Sequence, residues 1–83
     1  MNTVKSITYK KLGRKSALGL AHVDTGEIEI DSRLEGFQLL YVIVHETMHV
    51  QNPRWSELQV EGHSKEMANI LWKEGFRKVD LGK

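Results

Sequence analysis

Residues 39–50 of this 83-residue chain read LLYVIVHETMHV, an apolar run interrupted by two histidines and a glutamate. The apolar side chains recur at spacings of three and four, which predicts an α-helix. On a helix, residues four apart lie on the same face, so His45 and His49 are expected to point in the same direction. Both imidazoles would then reach one metal ion, and Glu46 would lie beside the first of them.

The spacing His45-Glu46-x-x-His49 has a known chemical use. In H-E-x-x-H helices the two histidines bind zinc, and the glutamate acts as general base toward a zinc-bound water. The alternative interpretation is a coincidental pattern in a metal-free core helix. The apolar surroundings favour the metal, because imidazole and carboxylate groups are costly to bury without a partner. We therefore predict a Zn2+ site with His45 and His49 as ligands and Glu46 as the catalytic residue.

Length and composition limit the other possibilities. A chain of 83 residues predicts a single domain over residues 1–83 with a small core. It contains no cysteine, so a metal ion rather than a disulfide would stabilise so small a fold. The N-terminal residues do not form an apolar signal segment, and the longest uncharged apolar stretch is too short to span a bilayer. A cytoplasmic protein with no membrane partner is expected.

The charge distribution gives little support for nucleic-acid binding. The net charge is +1, and the usual interpretation of a local run of charge is a solvated surface. The alternative is a weak phosphate-binding patch. The residues that would form this patch are Lys10, Lys11, Arg14 and Lys15.

Alternating patterns before the apolar run predict a small β-sheet. Residues 4–9 read as a short strand. Residues 17–23 and 27–30 flank the turn-forming segment 24–26 (DTG), in which a glycine with positive φ is expected, so these two arms predict a β-hairpin. The expected fold class is α+β, with a three-stranded antiparallel sheet packed on two long helices.

The two predicted helices have recognisable ends. The first is expected over residues 33 to about 51, with Asp31 or Ser32 as its N-cap and a proline shortly after its end. Ser56 opens the pattern Ser-x-x-Gln, a capping box, so the second helix is expected from residue 57 to about 74. A glycine at position 75 is typical of a C-terminal stop.

Two histidines do not complete a catalytic zinc site, which usually has three protein ligands. At about 100° per residue, Glu57 and Glu61 fall on the face of the second helix that meets the first, whereas His63 points roughly 100° away from it. We favour Glu57 as the ligand, because it lies in the first turn, where free N–H groups favour an anion, and near His49. Glu61 would then accept the free N–H of a ligand histidine. Glu61 and His63 remain the alternative ligands.

With His45-Glu46-x-x-His49 followed by Glu57-x-x-x-Glu61, the chain resembles the gluzincin metallopeptidases. That group includes the thermolysin-like enzymes and very small single-domain relatives called minigluzincins. Their hallmark is H-E-x-x-H, a glutamate ligand on a following helix and an acidic residue four positions later. The resemblance implies a minimal zincin-like core.

The chain is also similar to SprT-like zinc proteins, in which a short hairpin precedes the H-E-x-x-H helix. Residues 62–64 (GHS) are similar to the G-H-G motif of those proteins, which would make His63 the third ligand. Segments 27–34 and 71–77 look like those of small phage and bacterial proteins of this kind. The resemblance covers most of the chain from Ala17 onward.

These resemblances imply a zinc-dependent metallopeptidase that acts on a peptide or protein. Glu46 would take a proton from the zinc-bound water and pass it to the leaving amine. An extended substrate would pair with an edge strand, either residues 17–23 or residues 27–31. Larger relatives add a side chain that stabilises the oxyanion, and the candidates here are Tyr41, His63 and Arg54. The alternative functions are a non-catalytic binding or structural module stabilised by zinc, such as a phage component, and a DNA-associated SprT-like protein.

Overall fold

In the computed structural model, which describes residues 2–13 and 18–79, three strands precede two helices. The α+β class predicted from the sequence is confirmed. The elements in chain order are β1 (Ser6–Lys10), β2 (Gly19–His22), β3 (Glu27–Asp31), α1 (Gly36–Gln51) and α2 (Glu57–Lys73).

The sheet is mixed, with strand order β1-β3-β2. The predicted hairpin is confirmed, because β2 pairs antiparallel with β3 and Gly19 lies opposite Ile30. The prediction of a wholly antiparallel sheet is wrong, since β1 pairs parallel with β3 in a register that places Ser6 opposite Glu27. An alternating strand of five residues contains no signal for its direction, which depends on the edge of β3 that it reaches. Because β3 is paired on both sides, the suggestion that residues 27–31 form an edge strand is also wrong.

One face of β3 supplies the centre of the core. Ile28 and Ile30 are fully buried and pack against α1. Glu29 points to the opposite face, where its Oε2 lies 3.7 Å from Lys10 Nζ and 3.6 Å from His22 Nε2. Strand β3 therefore has one buried face and one face that carries charged side chains. The residues of α1 in this core cluster are Leu39, Val42 and Val50.

Helix α1 begins later than expected. Its first residue is Gly36, and its N-cap is Glu35, which makes no side-chain capping bond. Asp31 does not cap the helix, because its carboxylate accepts hydrogen bonds from the Arg33 backbone N–H at 2.9 Å and from Arg33 Nη2 at 2.7 Å. The Arg33 guanidinium holds the pKa of Asp31 well below its usual range. The prediction of Asp31 or Ser32 as N-cap is wrong, because Gly36 has φ 65° and a right-handed helix cannot run from residue 33 through that position.

Helix α2 begins as predicted. Ser56 Oγ accepts from the Gln59 backbone N–H at 3.1 Å, and Gln59 Oε1 accepts from the Ser56 backbone N–H at 2.9 Å, so the capping box is confirmed. The helix ends at Lys73, and the glycine that follows at position 75 has φ 92°, which glycine adopts readily. Neither helix in the described part of the chain is long and apolar enough to cross a membrane. The residues of α2 that are buried are Val60, Ser64 and Ala68.

Removing the capping box is expected to weaken the fold. Ser56→Ala should lower the free energy of unfolding by about 1 kcal/mol, because the first turn of α2 loses a side-chain acceptor for its backbone N–H groups. Urea denaturation followed by circular dichroism measures the change. The matched control is Ser32→Ala, since Ser32 is exposed and lies outside α1. An equal loss of stability in the two variants would contradict the capping role.

Candidate metal centre

The packing of α2 on α1 brings three possible metal ligands together. His45 Nε2 lies 3.1 Å from Oε2 of Glu57, and His49 Nε2 lies 3.0 Å from Oε1 of the same carboxylate. One ligand atom from each residue lies within 4.8 Å of the other two. The structure thus places Glu57 beside His45 and His49, at the start of α2, as its position in the first turn predicted.

The dimensions of this cluster are compatible with a bound zinc ion. Tetrahedral bonds of 2.0–2.1 Å separate neighbouring ligand atoms by roughly 3.3 Å. The observed nitrogen-to-oxygen distances are 3.1 and 3.0 Å, and each involves a different oxygen of the Glu57 carboxylate. Two imidazoles and one carboxylate are also a donor set of catalytic zinc sites, which keep a fourth position open. The Glu57 side chain is 62% exposed, so the cluster opens to solvent on the α2 side. An ion pair between Glu57 and protonated histidines has similar distances, so occupancy is a question for metal titration.

Glu46 lies on the sheet side of the cluster. It is buried, and it packs under β2 at Gly19. Burial raises the pKa of Glu46, the charges of His45 and His49 lower it, and Glu57 raises it further. The result is a carboxylate with increased affinity for a proton, held next to the first histidine.

Gly19 permits this close approach of strand and helix. A Cβ atom at position 19 would lie 2.8 Å from Val42 Cγ1 and 2.9 Å from Glu46 Cγ. Both distances are shorter than carbon atoms tolerate without a shift of the strand or of the helix. Gly19 thus lies directly against Glu46, the glutamate of the H-E-x-x-H pattern. Its strand, β2, is an edge strand in the described part of the chain.

Tyr41 lies one helical turn before His45. Its Oη is 3.3 Å from His45 Nδ1, the ring nitrogen that faces away from Glu57. The Tyr41 and His45 ring centroids are 5.5 Å apart, and those of His45 and His49 are 4.9 Å apart. Burial raises the pKa of Tyr41, and the nearby carboxylates of Glu61, Glu57 and Glu46 raise it further. Sequence reasoning considered Tyr41 for another role and missed this contact, although the spacing of four residues indicated it.

Glu61 is exposed on α2, one turn after Glu57. The hydrogen-bonding group near Nδ1 of His45 is the Tyr41 hydroxyl, whereas Glu61 acts on Tyr41 electrostatically. The role of Glu61 as acceptor from a ligand histidine stays a prediction.

The remaining candidate residues lie apart from the three clustered ligands. His63 is exposed and stacks on Trp55, with ring centroids 4.5 Å apart and an interplanar angle of 25°. It lines a cavity of about 530 Å³ together with Met48 and Met67. Arg54 is exposed in the connection between the helices. Neither residue belongs to the group of possible ligands found in the described residues.

The basic residues near the start of the chain are only partly described. Lys10 and Lys11 are exposed, and the Nζ of Lys10 lies 3.7 Å from Oε2 of Glu29. Arg14 and Lys15 lie outside the described residues. Nucleic-acid binding by this group stays a prediction.

No protein-family model matches the chain, and no curated protein or solved structure is significantly similar to it. The likeness to gluzincins and SprT-like proteins therefore rests on the residues that carry the motif.

The choice of third ligand predicts a pattern of zinc affinities. Glu57→Ala should weaken zinc binding by more than about 100-fold. Loss of a group that only hydrogen-bonds to a ligand typically lowers metal affinity 10–100-fold, and loss of a ligand itself should cost more. Competition with a chromophoric chelator measures the affinity. The controls are Glu61→Ala and His63→Ala, which should retain most of it. Wild-type affinity in Glu57→Ala, with a large loss in His63→Ala, would make His63 the ligand.

The contact at Gly19 predicts opposite effects of two alanine substitutions. Gly19→Ala should lower the free energy of unfolding by about 1–3 kcal/mol, because the added methyl group has to displace Val42 or Glu46. Gly62→Ala should raise it by roughly 0.5–1 kcal/mol, since position 62 is a helix interior with open space around it. Chemical denaturation of both variants tests this. Equal stability of the two variants would contradict the close contact between β2 and α1 at position 19.

Proposed function

We propose that this protein is a minimal zinc-dependent metallopeptidase, with His45, His49 and Glu57 as the zinc ligands and Glu46 as general base. The observation that supports this most directly is the convergence of three ligand atoms within 4.8 Å of one another, beside a buried carboxylate on the same helix. The side of the cluster toward Glu57 is open to solvent, which leaves access for a substrate.

The residues around the metal have distinct tasks in this mechanism. His45, His49 and Glu57 would hold the zinc ion, which when bound would supply a Lewis acid for the scissile carbonyl and a water of lowered pKa. Glu46 accepts the proton of the attacking water at its carboxylate and donates it to the leaving amine. Burial raises the pKa of Glu46, which favours the first transfer. Packing against Gly19 limits the positions that this carboxylate can take.

The substrate class follows from the edge of β2. An edge strand has unpaired backbone N–H and C=O groups, and an extended peptide satisfies them by adding a strand. Since β2 contacts α1 where Gly19 meets Glu46, a peptide paired with β2 would pass beside the metal ligands. This geometry supports a peptide or an unfolded protein segment as the substrate.

A zinc site that only stabilises the fold is the second candidate. The ligands come from two helices, so a metal ion would join α1 to α2. The buried contact residues of α2 are few and small, and one of them, Ser64, has a buried Oγ without a hydrogen-bond partner in the described residues. A fold of this kind gains from a metal link. This function predicts that chelation lowers the melting temperature while no peptide is cleaved.

The general-base role predicts a separation of catalysis from metal binding. Glu46→Gln should reduce peptide hydrolysis by about 10²–10⁴-fold, because the amide cannot accept the proton, while zinc content stays at the wild-type level. Cleavage of a quenched fluorescent peptide library, with metal analysis of the same samples, measures both. Glu74→Gln is the matched control, since Glu74 is exposed at the far end of α2.

The outcomes of this experiment distinguish the candidates. Hydrolysis that survives Glu46→Gln contradicts the mechanism. Stoichiometric zinc without cleavage by the wild type favours the stabilising role. A wild-type protein that binds no zinc overturns both functions.

A further inference from the structure

We infer that Tyr41 is a positioning residue of this metal centre, whose hydroxyl accepts the Nδ1–H of His45 and holds that ring with Nε2 toward Glu57. The inference rests on the metal site proposed above. It assigns to Tyr41 an effect on metal affinity, separate from any contact with a substrate.

The two ring nitrogens of His45 have different neighbours. Its Nδ1 lies 3.3 Å from Tyr41 Oη, while its Nε2 lies 3.1 Å from Oε2 of Glu57. A neutral imidazole has one proton, so a ring that binds metal through Nε2 carries that proton on Nδ1. This N–H requires an acceptor, and a phenol oxygen is one. The Tyr41 hydroxyl therefore lies where it can accept the Nδ1 proton of the His45 tautomer that binds metal through Nε2.

Burial makes this contact more important for His45 than for His49. The His45 side chain is 13% exposed, compared with 26% for His49. Water reaches the more exposed ring, whereas a buried N–H depends on a partner within the protein. Outer hydrogen bonds of this type orient ligand histidines and increase their basicity, and their loss typically weakens metal binding by 10–100-fold.

The helix makes Tyr41 a rigid support. Tyr41 and His45 are one turn apart on α1, so backbone hydrogen bonds set the distance between them. Their ring centroids lie 5.5 Å apart, and this ring contact survives when tyrosine is replaced by phenylalanine. Tyr41→Phe therefore removes the acceptor oxygen and keeps the packing, which separates positioning from a merely structural role.

The experiment compares zinc affinity in the full chain and its tyrosine variants. Tyr41→Phe should bind zinc about tenfold more weakly than the wild type in chelator competition. Tyr9→Phe is the control, because Tyr9 is the other tyrosine of the chain and lies in β1. Thermal unfolding of the metal-free proteins checks that both variants fold.

A second readout reports on the ring directly. In zinc-loaded protein with ¹⁵N-labelled histidine, the Nδ1 proton of His45 should be observed and slow to exchange in the wild type and in Tyr9→Phe. In Tyr41→Phe it should exchange faster with water. Equal zinc affinity and an unchanged His45 signal in Tyr41→Phe would overturn this inference alone. Absence of zinc binding by the wild type would overturn it together with the proposed function.

Discussion

The close packing of α2 on α1 is the contact on which the candidate site depends. The buried residues of α2 along this contact have short side chains, so the two helices approach closely and the first turn of α2 lies beside the last turns of α1. Glu57 belongs to that first turn, and its carboxylate reaches His45 and His49 only in this arrangement. The capping box at Ser56 sets where the turn begins, and thereby where Glu57 stands. The position of the Glu57 carboxylate therefore depends both on the capping box and on the packing of α2 against α1.

Helix α1 serves different partners on different sides. Val42 and Val50 belong to the core cluster with the isoleucines of β3, while Tyr41, His45 and His49 form a row of rings that leads to Glu57 of α2. The helical period of 3.6 residues separates these two sets along one short sequence. Glu46 is buried toward the sheet yet acts electrostatically on the histidine side. A polar residue in this position is tolerated because it lies at the border between core and site.

The features that local pattern determines were predictable from the sequence. The hairpin turn, the capping box and the shared face of His45 and His49 depend on residues a few positions apart. Helix angles excluded His63 from the contact face, and the position of Glu57 in the first turn of its helix, near His49, favoured it over Glu61 as the residue placed beside the histidines. The direction of β1 and the late start of α1 were not predictable. The first depends on which edge of β3 the chain reaches, and the second on the positive φ that Gly36 adopts in the folded chain. The contact between Tyr41 and His45 needed side-chain orientations that spacing only suggests.

The glycine at position 19 has a consequence for how this protein can change. Because β2 touches the helix at the same carboxylate that the proposed chemistry uses, substitutions that reshape the sheet also move the group that receives the proton. A substitution at Gly19 would therefore change the packing of the sheet on α1 and the position of the Glu46 carboxylate at the same time. Substitutions at the exposed Leu20 of β2, and at the exposed Leu18 just before the strand, would leave that contact in place.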